Sequence, residues 1–238
     1  MYGLALLNSD YEGNAITVRR ASDNATTNIG FNGQDLDIAA LESFCSGTDG
    51  FITTWHDQSG NANNAVQTTA SSQPKIVSSG SVILENGKAA VQFDGVDDNI
   101  QASYTASQPL SIVALGNIDT ARTFDYFLSL SGIFVLGSDG TPDWRLLAGN
   151  SLTNGNVTAN QTLLFGIANG TNSLLSVNSS AVTGDAGTDA ALGISIGART
   201  IGGGELLGTV QNIVIYESDQ SGNRTGIETA LNDYYSIY

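Results

Sequence analysis

Residues 51–67, FITTWHDQSGNANNAVQ, carry the chain's only histidine beside an aspartate, with a serine two positions beyond that aspartate. Two readings compete: a Ser/His/Asp arrangement for catalysis, or the corner of a β scaffold that contains those residue types. As a strand, FITTWHD sends Phe51, Thr53, Trp55 and Asp57 to one side and Ile52, Thr54 and His56 to the other. His56 and Asp57 then point apart. A triad needs base and orienting acid within about 3 Å, which neighbouring strand residues do not supply without a bulge. The following DQSGN reads as a turn in which Asp57, Ser59 and Asn61 bond local backbone amides. The stretch is therefore read as scaffold, and no catalytic residue is assigned in it.

The rest of the chain extends that reading. AITVRR, AAVQFDG, LSIVALG, GIFVLGS, TLLFGIA, NSLLSVN, GISIGA and GTVQNIVIYES each have strand length with β-branched or aromatic content. Asn86-Gly87, Asp94-Gly95, Asp139-Gly140 and Asn169-Gly170 fall between runs, where tight reversals need positive φ. IGGGELLG, lying between strand-like runs, reads as a hairpin turn rather than a phosphate loop. The pattern predicts an all-β sandwich of two antiparallel sheets, a single domain over residues 1–238. Two segments read as short helices instead. DLDIAALESFC places Leu36, Ala39, Ala40 and Phe44 on one face, with Asp35 as N-cap and Gly47 past the end. The C-terminal helix places Ile227, Leu231, Tyr234, Tyr235 and Tyr238 at helical spacing after a cap at Ser221 or Asn223.

Acids outnumber bases 23 to 8, for a formal charge of −15. That surface repels phosphate backbones and anionic membranes, which argues against nucleic acid and membrane insertion. Cys45 is the only cysteine, so an internal disulfide and a Cys-based zinc site are excluded, and burial on a helix face is its expected role. MYGLALLNSD lacks the basic start and apolar length of a signal peptide, and no stretch approaches the ~20 apolar residues of a membrane span. A soluble virion or extracellular protein is expected.

YEGNAITVRRASDNATTNIGF, LESFCSGTDGFITTWHDQSGNANNAVQ and GKAAVQFDGVDDNI resemble the concanavalin A-like, laminin-G-like jelly rolls of phage structural proteins. The first two also resemble the start of the family 54 α-L-arabinofuranosidase catalytic domain, itself a jelly roll. The likeness covers roughly residues 2–100, with a weaker echo in the closing strand and helix. In the arabinofuranosidases it implies a second cysteine where this chain has Gly50, so their local disulfide is absent here. It implies a tyrosine where this chain has His56. The family's catalytic glutamate and aspartate fall in the half that does not align, and neither is carried across.

Retaining glycosidases need two carboxyl groups about 5 Å apart. The E-x-D-x-E strand triplet that supplies them in jelly-roll glucanases does not occur. Glu217-Ser218-Asp219, the nearest match, lies at a strand exit, and a site assembled from distant carboxylates such as Asp125, Asp143 or Glu205 stays open. For sugar binding, SDGTPDWRLLAGN offers Trp144 with Asp143 and Arg145, and ARTFDYF offers Asp125 and Tyr126: aromatic platforms beside polar groups. Either aromatic could equally fill the interior. In FDGVDDN, Asp94, Asp97 and Asp98 could begin a calcium site, or simply cap a turn. The resemblance to phage structural proteins, with no catalytic pattern found, implies a non-enzymatic, lectin-like virion surface protein that contacts glycans or neighbouring subunits, as a possible homo-oligomer. The competing expectation is a glycoside hydrolase of the arabinofuranosidase type.

Overall fold

The structure, a computed structural model, describes residues 1–120, 124–130, 134–139, 143–199 and 203–238. It is all-β, with two α-helices among the described residues. The strands form two antiparallel layers that meet along one shared strand. One layer runs through Lys75–Ser78, Val91–Asp94, Leu207–Tyr216, Leu110–Ile118, Thr162–Ala168, Ser173–Val177 and Ser180–Gly184. The other runs through Ala65–Val66, Ile100–Ala106, Ala191–Ile196, Phe124–Leu130, Phe134–Asp139, Asp143–Ala148 and Ser151–Asn156. Gly50–Trp55 pairs with the first strand of each layer, and Ile16–Arg20 and Thr26–Ile29 continue from it.

FITTW, in that shared strand, departs from simple alternation. Thr17 faces Thr54 but Val18 faces Ile52, so Thr53 is an extra residue, a bulge that flips the faces on either side. Ile52 and Trp55 consequently both enter the core. The expected grouping of Phe51 with Trp55 is corrected: Phe51 is half-buried outside, under the Arg19 guanidinium at 4.9 Å and the Lys75 ammonium at 5.6 Å.

Leu110–Ile118 is buried along all nine residues, because both of its faces are covered. Ile112, Ala114 and Ile118 join the sandwich interior, whereas Val113 and Leu115 form a second cluster with Leu163, Phe165, Ile167 and Val214. The helix Arg224–Tyr235 covers that second cluster with Ile227, Leu231, Tyr234 and Tyr235. Its spacing was legible from sequence, although Tyr238 lies beyond the helix and is 52% exposed. The shorter helix is Ile38–Phe44, and here the predicted face is corrected. Asp37, not Asp35, is the N-cap, its side chain accepting the Ala40 amide at 3.0 Å, while Leu36 belongs to a two-residue strand. That two-residue shift turns Leu41 inward and leaves Ala39 and Ala40 exposed.

Asn86 and Gly87 take positive φ of 50° and 77° in a two-residue hairpin, and the Asn169-Gly170 hairpin joins strands paired Ile167 to Leu174. Gly140 of the predicted Asp139-Gly140 turn, Gly132 and Ile133 of GIFVLGS and Ile201 and Gly202 of IGGGELLG lie outside the described residues.

Cys45 is buried with a free thiol. A Cβ built at Gly50 would lie 2.7 Å from its Sγ, so the position that the resemblance fills with cysteine faces the thiol. Gly50→Cys is expected to oxidise to a disulfide with Cys45, read as loss of both titratable thiols; persistence of two free thiols under air would contradict this placement.

Candidate functional site

The HDQSGN corner is a scaffold joint. His56 is half-buried and its Nε2 pairs with the Thr17 hydroxyl at 2.9 Å, and burial lowers its pKa. Asp57 is directed elsewhere. It accepts the Ser59 amide at 2.9 Å, the Ser59 hydroxyl at 2.7 Å, the Asn63 amide at 3.2 Å and the Met1 amino group at 2.7 Å. Burial opposes its charge, but these donors prevail and hold its carboxyl below the usual range. Gln58, which sequence reasoning passed over, is fully buried; its amide donates to the Gly3 and Ala5 carbonyls and its carbonyl accepts the Leu7 amide. An amide flanked by a turn carries no periodicity signal, so nothing in the pattern marked it.

The register separates the five residues predicted for sugar contact into two groups. Asp125 faces Ser138, which faces Trp144, and that row points into the sandwich. Trp144 is 1% exposed and stacks on Phe127 with centroids 5.6 Å apart, so it is a core residue. Asp125 is fully buried and accepts the Leu207 amide at 3.2 Å, which fixes the segment leading into the last strand. Tyr126 faces Gly137, which faces Arg145, and this row lies on the opposite face of the strands with Asp143 two residues away; Tyr126 is itself fully buried beneath Gly204 and Arg199, so it is not the exposed sugar platform expected.

Above Tyr126 lie Arg199 and the turn Gly203–Leu206. The Arg199 guanidinium sits 5.2 Å from the Tyr126 centroid and 5.5 Å from that of Phe124, which is 40% exposed. Glu205 accepts the Gly203 amide at 2.9 Å, and Gly203 in turn receives the Arg199 amide at its carbonyl at 3.0 Å. Gly137 is required between the rows: a Cβ there would lie 2.3 Å from the Asp125 carbonyl oxygen. Half-buried Asp143 and Arg145 thus lie on the same face as Tyr126, two strands away from it, and half-buried Arg199 and Glu205 lie on the segment that covers it. Carboxylates beside cations can bind hydroxyls and move protons. Residues 121–123, 140–142 and 200–202, adjacent in sequence to this patch, lie outside the described residues.

Asp94, Asp97 and Asp98 converge, their ligand atoms lying within 4.8 Å of one another. Part of that capacity is already used. Asp94 accepts the Val96 amide at 2.8 Å, Asp98 accepts the Asp94 amide at 3.0 Å, and Asp97 accepts the Ser72 hydroxyl at 3.0 Å. Burial, then repulsion from Asp94, pushes the Asp98 carboxyl up to about 6. The folded state therefore takes up a proton relative to the unfolded chain, and stability falls as pH rises from about 4 through about 6. Asp98→Asn is expected to remove that fall, seen as a higher Tm than wild type at pH 7 and convergence at pH 4. A calcium ion held there, which we carry forward as a proposal, would reverse the wild-type fall in millimolar calcium and leave Asp98→Asn unmoved. Identical pH profiles for the two proteins would contradict the buried placement.

Similarity to known proteins bears on function. Residues 4–104 match the family model for the catalytic domain of α-L-arabinofuranosidase B. A probable α-L-arabinofuranosidase B of Aspergillus terreus is 46% identical over 63 residues, which is 26% of this chain and 12% of that protein. Among solved structures, a glutamate-to-glutamine mutant of a GH54 α-L-arabinofuranosidase soaked with 4-nitrophenyl α-L-arabinofuranoside superposes with a TM-score of 0.74 at 18% identity. That likeness covers 95% of this chain and 61% of the other. Trypanosoma rangeli sialidase in complex with sialic acid is more distant, with a TM-score of 0.51 at 17% identity over 75% of this chain and 31% of that one. The chain thus spans about three fifths of the arabinofuranosidase chains whose fold it shares. These findings overturn the expectation of a non-enzymatic, lectin-like phage fibre or decoration protein, because the sequence and family matches are to an arabinofuranosidase catalytic domain.

Proposed function

We propose that the chain is a glycoside hydrolase domain acting on α-L-arabinofuranosides. The observation that carries this reading is the match of residues 4–104 to the arabinofuranosidase catalytic-domain family. The matched stretch holds the scaffold corner, and the candidate chemistry lies beyond it, on the outer patch.

On that patch Asp143 and Glu205 are assigned as the acting carboxylates. One protonates the departing glycosidic oxygen, and the other attacks the anomeric carbon or activates water; a separation of about 5–5.5 Å retains configuration and about 6.5–9.5 Å inverts it. Arg145 and Arg199 hold sugar hydroxyls. Asp125 is a positioning residue, since its bond to the Leu207 amide fixes the turn that carries Glu205. An arabinose-bearing polymer does not cross a membrane, so the extracellular side is where such an enzyme meets it. Release of 4-nitrophenol from 4-nitrophenyl α-L-arabinofuranoside by the purified chain tests the reading. Steady turnover supports it, and a rate equal to buffer at high protein concentration rejects it.

A further inference from the structure

We propose that a second pocket, at the far end of the Leu207–Tyr216 strand from the Asp143/Glu205 patch, binds a single neutral sugar ring. The ten-residue strand separates Glu205 from Glu217, and the nearest members of the two places, Arg199 and Ile194, are five residues apart, about 16 Å along an extended strand, so the pocket shares no lining residue with the patch. It does not depend on the hydrolase reading.

The cavity, of about 260 Å³, lies between the HDQSGN corner and two strand ends, with Tyr2, Tyr104, Ile194 and Ile215 as its apolar lining and Asn61, Asn63 and Glu217 as polar lining. That volume is below the ~300 Å³ at which pockets begin to hold drug-sized ligands, which suits one ring. Apolar floor and planar polar rim are the two components a sugar needs, for its C–H face and its hydroxyls.

The availability of the polar groups selects the ligand class. Asp57 also lines the cavity, but four donors already occupy it. The side-chain amides of Asn61 and Asn63 have no hydrogen bond within the protein among the described residues. The Tyr104 hydroxyl is buried without a bond of ordinary geometry. Burial, then the Glu217 carboxylate, raises the pKa of that phenol, so it remains a donor throughout the neutral range. The uncommitted amides donate and accept, as hydroxyls require, and the phenol lies beside the Glu217 carboxylate, so the two present a donor and an acceptor together. Asp57 is neutralised by the Met1 ammonium that also lines the cavity, which leaves Glu217 as the single uncompensated charge; it disfavours anions and offers a cation one partner only, which favours the neutral polyol.

Saturation-transfer NMR and calorimetry with L-arabinose, D-xylose and D-galactose, and with methylammonium as the cationic control, test this on the full chain. At least one sugar is expected to bind saturably. Tyr104→Phe and Asn61→Ala should each weaken it roughly tenfold, one good hydrogen bond's worth, while Glu205→Gln leaves it unchanged. The proposal fails if no sugar saturates, if methylammonium binds in place of the sugars, if both pocket variants bind as wild type does, or if Glu205→Gln abolishes binding. Because free monosaccharides are not hydrolysed, these outcomes are separate from success or failure of the arabinosidase assay.

Discussion

Trp55→Ala is expected to lower the unfolding free energy by about 3–5 kcal/mol, the usual cost of emptying a fully buried aromatic site. Trp55 is fully buried and meets Tyr2 edge to face with centroids 6.5 Å apart. Its strand is the one shared by both layers, pairing with Ile16 on one side and Ala65 on the other. A cavity there has no mobile edge to collapse onto, so the cost should sit toward the upper end. Trp55→Phe, which keeps the ring contact with Tyr2, should cost markedly less. Urea unfolding of the three proteins checks this, and an alanine variant within about 1 kcal/mol of wild type would mean that the joint is not where the layers are held.

Glu205→Gln and Asp143→Asn are each expected to reduce kcat on 4-nitrophenyl α-L-arabinofuranoside by about 10²–10⁴-fold, the range lost with a proton-transferring group. KM should change little, because both replacements keep size and polarity. Asp125→Asn should act differently. It sits inside the layer and touches the Leu207 amide, so its effect should be smaller on kcat and visible as lower thermal stability. Arg199→Lys keeps charge but loses the planar guanidinium that lies against Phe124 and Tyr126, and should raise KM more than it lowers kcat. Equal activity in Glu205→Gln and wild type would remove Glu205 from the chemistry.

The architecture is readable in the sequence where local and global preferences agree. LSIVALG and TLLFGIA are apolar apart from Ser111 and Thr162 because both sides of their layer are covered, by the opposite layer and by the C-terminal helix. Asn86-Gly87 announces its hairpin because both residues tolerate positive φ. Alternation fails at FITTW, since a bulge depends on the partner strand and leaves no mark in its own letters. It fails again at DLDIAALESFC, where two aspartates two residues apart could each cap the helix and only the bond to Ala40 decides.

The site is harder to read for a related reason. Asp143 and Arg145 stand out together with Trp144, yet strand geometry forces the middle residue to the opposite face. The proximity of Glu205 and Arg199 to Tyr126 arises from a turn some eighty residues downstream, which periodicity cannot reveal. His56, the residue type most suggestive of catalysis, is held by Thr17 on the scaffold.

A crystal structure of Glu205→Gln soaked with 4-nitrophenyl α-L-arabinofuranoside would test the assignment of the outer patch without an intervening assumption. The furanose ring is expected on that patch, its anomeric carbon between residue 205 and Asp143 and its hydroxyls on Arg145 or Arg199. A sugar bound with its reacting bond at any other carboxylate would contradict it.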